Sequence, residues 1–231
     1  MKTSVIRIIG FMIVFTLVLT SVNSVLKFKY GDGIYSLTKF YEQKNDSVDV
    51  LVLGSSHGFA DFNTGLLWDK YGIAAYDLCG AQQPMWNTYY YFKEALKSQT
   101  PKLVVLEGYM VTNEDDYIHY GSLIKNTFGM KLSKDKLDAI KVSSPKEMWL
   151  DYFMGYTQYH NRYSELGRAD FLKDQGNKQY TDWKGFTSAV YIDPQETVDV
   201  SGITGTMDLH GKSEEYYRKI LELAKTKEIP V

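Results

Sequence analysis

Val48-Asp49-Val50-Leu51-Val52-Leu53 runs straight into Gly54-Ser55-Ser56-His57-Gly58, and this one stretch limits the folds open to the chain. Apart from Asp49 the first six residues are valine or leucine. They lack the polar alternation of a half-solvated strand, which is the pattern of a strand buried on both faces of a parallel sheet. Such a strand needs neighbours on either side and helical crossovers to reach them, so an α/β architecture follows. It stops at a small turn carrying two hydroxyls and an imidazole, at the carboxyl end where open α/β sheets bind ligands.

Two more stretches read as strands, Gly72–Leu78 and Pro101–Glu107. Between the three lie helical spacings: Leu66, Leu67 and Tyr71 within Thr64–Tyr71, and Trp86, Tyr89, Tyr90, Phe92 and Leu96 within Met85–Lys97. This is a doubly wound unit with right-handed crossovers. Residues 109–210 contain no strand as clear. There Lys134–Ile140 and Pro145–Tyr156 look helical and Ala189–Ile192 extended, and we expect an inserted cap over the carboxyl edge of the sheet. Ser213–Lys227 is an amphipathic helix with Tyr216, Tyr217, Ile220, Leu221, Leu223 and Ala224 on its apolar face. Ile229-Pro230-Val231 then reads as the start of another parallel strand, so the domain at 48–231 is expected to be incomplete at its C-terminal end.

Before the first strand, the chain opens with Lys2 and Arg7, is almost wholly apolar from Ile8 to Leu19, and stays mostly so to Leu26. That is close to the roughly 20 residues that cross a bilayer. Residues 1–26 are expected to be an uncleaved anchor. The alternative is a cleaved signal peptide, with Val22-Asn23-Ser24 as a loose small-residue site that lacks an A-x-A pattern. Lys2 and Arg7 are balanced by Lys27 and Lys29, so the very short leading tail decides for N-terminus inside. The globular part then lies outside the cytoplasm, at the cell membrane, joined by a linker at 27–47. Composition narrows the partners further. A net charge of −2 and a pI near 6.1 leave no basic footprint for nucleic acid. The lone Cys79 excludes an internal disulfide and a cysteine-based zinc site, and no histidines and carboxylates share metal-ligand spacing on one helix, so neither metal nor other cofactor is expected. The 19 tyrosines suit either a half-buried surface or a carbohydrate-facing groove.

Ser56 is the best nucleophile candidate, because a tight turn after a buried strand exposes its hydroxyl and lifts backbone N–H groups toward the same space. Ser55 is its competitor. Leu53-Gly54-Ser55-Ser56-His57 after one strand, Gly80 after the next and Val104-Val105-Leu106-Glu107 at the third together resemble the SGNH (GDSL-like) hydrolase and O-acetyltransferase superfamily. The likeness is greatest to its membrane-anchored bacterial branch, the relatives of alginate-acetylation and teichoic-acid D-alanyl-transfer proteins. It implies a three-layer, flavodoxin-like α/β fold with a mostly parallel sheet, Ser56 as nucleophile, and the N–H groups of Ser56 and Gly80 as an oxyanion hole. Asn113 stands near the place of the family's third-block asparagine, in Glu107-Gly108-Tyr109-Met110-Val111-Thr112-Asn113, which departs from the G-x-N-D pattern. The family's D-x-x-H segment does not occur; Asp208-Leu209-His210 has the wrong spacing. His57 is expected to line the pocket, and Arg162 to meet an anionic substrate.

The expected function is serine-dependent acyl-ester hydrolysis or O-acyl transfer on cell-surface polysaccharide through an acyl-serine, weak or absent without the Asp-His segment. The alternative is a non-catalytic, membrane-tethered glycan-binding or assembly protein. Expected partners are the glycan or acyl donor, the membrane, and a membrane-bound acyltransferase that delivers the donor.

Overall fold

Three parallel strands form where the apolar runs stand: β1 Val50–Gly54, β2 Ala75–Cys79 and β3 Leu103–Leu106. Their order is β2-β1-β3, with Val52 opposite Asp77 on one side and Val105 on the other. β1 is central, as its unbroken hydrophobicity requires. The structure, a computed structural model, describes residues 2–27, 32–154, 159–171, 183–187, 201–202, 204–205 and 209–231. The expected extended piece at Ala189–Ile192 lies outside them. The chain divides into two compact units, Gly31–Pro145 with Asn177–Val231, and Met1–Tyr30 with Lys146–Gly176.

In the first unit, α3 Ser56–Asp61 and α4 Thr64–Tyr71 lead from β1 to β2, and α5 Met85–Ala95 leads to β3. α4 is closed at both ends by its own sequence. The Asn63 side chain accepts the Leu66 N–H at 2.8 Å, and Gly72 takes the left-handed conformation (φ 65°) that ends a helix. Leu51, Leu53, Tyr76, Leu78 and Val104 form one hydrophobic core with Trp86 and Phe92 of α5 and with Ile220 and Ala224 of α9 Gly211–Thr226. Val52 and Cys79 meet α3 at Gly58, where a Cβ would stand 2.5 Å from Cys79 Sγ.

The stretch expected as a linker contributes to that core. Residues Asp32–Phe40 form α2, with Leu37 and Phe40 fully buried. The Tyr76 hydroxyl donates to Ser36 O and the Ser36 hydroxyl to Asp77 O, both at 2.7 Å, which ties α2 to β2. A 3-10 turn at Tyr109–Thr112, then α6 Tyr120–Thr127 and α7 Lys134–Ser143, complete this unit's described helices. Both sheet edges are touched by irregular chain. Along β2 the Asp77 N–H donates to Lys184 O at 2.7 Å, while Thr187 N–H donates to Phe59 O at 2.8 Å. At β3 the Val104 N–H donates to Pro230 O at 2.9 Å, which sets Ile229-Pro230-Val231 against the strand that such a segment would extend. Edge groups so occupied are withheld from strangers.

The second unit gathers α1 Lys2–Leu26, a 3-10 turn at Lys146–Met148, α8 Trp149–Met154, and 3-10 turns at His160–Ser164 and Arg168–Phe171. The region expected as one cap is therefore shared: 109–145 folds with the sheet and 146–176 with α1. From Ser4 to Leu26, α1 is strongly apolar, and none of its most apolar stretch is buried in the protein. At about 1.5 Å per residue it is long and apolar enough to cross a bilayer. The hydroxyls of Thr16 and Thr20 donate one turn back, to Met12 O at 2.8 Å and Thr16 O at 2.9 Å, so neither is left unpaired on the apolar span.

Candidate functional site

β1 ends in a turn that only glycine can make. Gly54 has φ 152°, and a side chain there would place its Cβ 2.5 Å from Glu107 Cβ. The close approach is used. Glu107, the first residue past β3, accepts the Ser55 N–H at 2.9 Å and the Ser55 hydroxyl at 2.6 Å on Oε2, and the Tyr109 N–H on Oε1. One carboxylate thus clamps the β1 turn to the chain leaving β3.

This clamp separates the two serines. Ser55 is 1% exposed and its proton is committed to Glu107. Ser56 is half-buried and opens α3, where its N–H has no intrahelical acceptor. Among the described residues its hydroxyl makes no hydrogen bond. His57 is exposed, with Nδ1 3.3 Å from Ser55 Oγ and its ring 4.4 Å from that of Tyr109. With the Ser55 proton on Glu107, Ser55 Oγ is placed to accept from His57 Nδ1. The histidine therefore serves Ser55 and not the Ser56 hydroxyl.

Gly80 has a different role from the one the resemblance implies. Its N–H donates to Gly54 O at 3.2 Å and continues the β1–β2 ladder past the strand ends, so it is not offered to an oxyanion. Gly80 is glycine for space. A Cβ would lie 2.1 Å from Asn126 Oδ1 and 2.8 Å from Gln83 Oε1. Both amides are fully buried and pinned, Asn126 through Nδ2 to Ser122 O at 2.8 Å and Gln83 through Nε2 to Thr88 Oγ1 at 3.1 Å. Gly80→Ala is expected to destabilise the fold by about 2 kcal/mol, as overpacking does; an unchanged thermal melt would show that the amides yield.

A cavity of about 710 Å³ opens beside this turn, lined by Gln82, Tyr109, Asn113, Asp115, Tyr117 and His119 among others. Tyr109 joins the two features, since it lines the cavity and packs on His57. Asn113 lines the cavity, and its carbonyl accepts the Ser213 hydroxyl at 2.6 Å. Gln82 holds φ 50°, an uncommon conformation for a residue with a side chain. Arg162, expected to meet an anionic substrate, is instead engaged within its own unit. It lies in the unit with α1, is 7% exposed, and donates to Leu26 O and, at 2.9 Å, to Asp170 Oδ1, so its guanidinium is spent on the protein itself.

Burial pushes the Cys79 thiol up, and the nearby Asp77 and Glu107 carboxyls add to the shift, so it is no nucleophile at neutral pH. No group of three or more histidine, cysteine or carboxylate side chains suited to a metal ion occurs among the described residues. The sequence reading missed the roles of Glu107, Tyr109, Tyr117 and His119. For Glu107 a signal existed: a carboxylate directly after a buried strand stands at the sheet's ligand-binding edge. Compared with known protein families, curated proteins and solved structures, the chain matches none.

Proposed function

We propose that this protein is a serine-dependent acyl-ester hydrolase or O-acyltransferase that modifies extracytoplasmic polysaccharide through an acyl-Ser56 intermediate. The observation that carries the reading is the division of labour at the β1 turn. Ser55 is locked on Glu107, while the Ser56 hydroxyl stands uncommitted at the first residue of a helix after the central strand. The 2-1-3 strand order is also how a flavodoxin-like sheet begins, and a three-layer fold of the SGNH kind belongs to the same proposal. So does a single-pass topology with α1 in the cell membrane and the sheet outside.

In this reading the Ser56 oxygen attacks the acyl carbon, its proton leaves to a base, and the tetrahedral oxyanion is held by the serine's own N–H. The leaving alcohol departs with a proton, and water or a sugar hydroxyl then takes the acyl group from Ser56. Because no described histidine reaches the Ser56 hydroxyl, turnover is expected to be slow, of the kind that an oxyanion site and binding alone sustain. The test is acetylation by a chromogenic acetate ester, followed by peptide mapping. The acetyl group is expected on Ser56, and lost in Ser56→Ala while persisting in Ser55→Ala; equal release of chromophore by wild type and Ser56→Ala would rule Ser56 out.

The cavity favours a second reading, a tethered glycan-binding module. Tyr109 and Tyr117 offer aromatic faces, and Asn113, Asp115 and His119 offer hydrogen-bonding groups, at one concave surface. Saccharide binding that survives Ser56→Ala, with no acetyl-serine formed, would support it over the enzyme.

A further inference from the structure

The geometry points to a membrane-lying platform formed by residues 146–154 and 159–171, whose exposed aromatic side chains rest in the headgroup region of the bilayer that α1 crosses. The inference depends on α1 being a spanning helix. The 23 residues of Ser4–Leu26, most of them apolar, measure about 34 Å at 1.5 Å per residue, against a hydrocarbon core of about 30 Å. Leu26 therefore stands at the exit plane of the membrane.

The rest of the unit is fastened at that plane. The Arg162 guanidinium donates to the Leu26 carbonyl, one of the acceptors that a helix leaves unsatisfied at its C-terminal end, and there it also meets the negative pole of the helix dipole. Asp170 holds Arg162 in place at 2.9 Å through Oδ1 and accepts the Gly167 N–H at 2.8 Å through Oδ2. Arg162 and Asp170 are buried, so the 3-10 turns that carry them are seated on the end of α1 and are not swinging in solvent.

Those turns present two large aromatic side chains outward, beside the exposed polar His160, Asn161, Ser164 and Glu165. Tyr163, next to Arg162, is 74% exposed, and Phe171, next to Asp170, is 68% exposed. In α8 Leu150 and Phe153, three residues apart, are also exposed, and Trp149 pairs with Phe153 at 6.5 Å between ring centroids. Large apolar side chains in water beside a membrane exit are unfavourable, whereas the interface is where tyrosine and tryptophan rings settle. The exposed Lys27, Lys146 and Arg168 of the same unit fit the phosphates at that depth. The platform would fix the azimuth and tilt of α1, which a lone span cannot do.

Site-directed spin labelling of the full chain tests this. Single cysteines replace Phe15, Tyr163 or Phe171 in a Cys79→Ala background, and the labelled proteins are placed in nanodiscs of phosphatidylcholine and phosphatidylglycerol. Collisions with oxygen and with a nickel chelate then give the depth of each label. Position 15 is expected in the bilayer interior, and positions 163 and 171 at headgroup depth, with oxygen collisions raised and chelate collisions lowered severalfold against the same proteins in detergent-free amphipol. An aqueous signature at 163 or 171, with 15 still in the interior, overturns the platform and assigns this face to a protein partner. An aqueous signature at 15 removes the spanning helix, and the inference with it.

Discussion

Asp77→Asn is expected to stabilise the protein at pH 8 by several kcal/mol and to do almost nothing at pH 4. Asp77 lies in β2 with no exposed surface, and among the described residues neither carboxylate oxygen has a hydrogen-bond partner. Its backbone is well served, with the N–H on Lys184 O and the carbonyl on the Ser36 hydroxyl, so the strand forces the side chain inward without supplying a donor. Gly185 comes so close that a Cβ there would stand 2.0 Å from Asp77 O. Loss of hydration raises the carboxyl from 3.8 to about 9.

The sign follows from proton binding. Between those values the folded state holds a proton that the unfolded chain has released, so stability falls as pH rises. The contribution is fully present below about 3.8 and is lost by the time pH passes about 9. Each pH unit in that window removes roughly 1.4 kcal/mol. Asparagine keeps the shape and cannot ionise. Thermal melts of the full chain in detergent at pH 4, 6 and 8 should show wild type losing stability while Asp77→Asn stays level. Parallel curves would mean that the carboxyl is ionised in the fold and has a donor.

Asp77 also marks where sequence reading stops. The strands were legible because burial on both faces leaves a continuous apolar run, α4 because the chain carries its own caps there, and α9 because of its amphipathic spacing. A single aspartate inside Ala75–Cys79 does not disturb such a run, and what surrounds its carboxyl depends on residues 183–187, more than a hundred positions away. The same distance hid the Ser55–Glu107 contact, which exists only because β1 and β3 are neighbours. α3 went unseen because Ser56-His57-Gly58-Phe59-Ala60-Asp61 has turn composition and no apolar face of its own; contact with Cys79 and Val52 holds it. Arg162 misled in the opposite way. In the sequence an arginine among tyrosines reads as a hand for an anion, whereas the anion it meets is Asp170, within its own unit.

Removing the clamp should reveal how much of the Ser56 geometry rests on one carboxylate. Glu107→Ala leaves the Ser55 N–H and hydroxyl, in a residue only 1% exposed, without their acceptor. An orphaned buried donor costs about 1–3 kcal/mol, and bonds to a charged acceptor lie toward the upper end, so a loss of about 3 kcal/mol is expected. Glu107→Gln keeps one acceptor oxygen and should lose less. The position of α3 depends on the same contacts, so acetylation of Ser56 should fall further than the loss of folded protein accounts for. A double-mutant cycle isolates the effect: adding Ser55→Ala to Glu107→Ala deletes the stranded hydroxyl, and the double variant should be less destabilised than the two single losses added together. Additive losses would show that Ser55 and Glu107 do not act as a pair, and the uncommitted hydroxyl at Ser56 would then need another explanation.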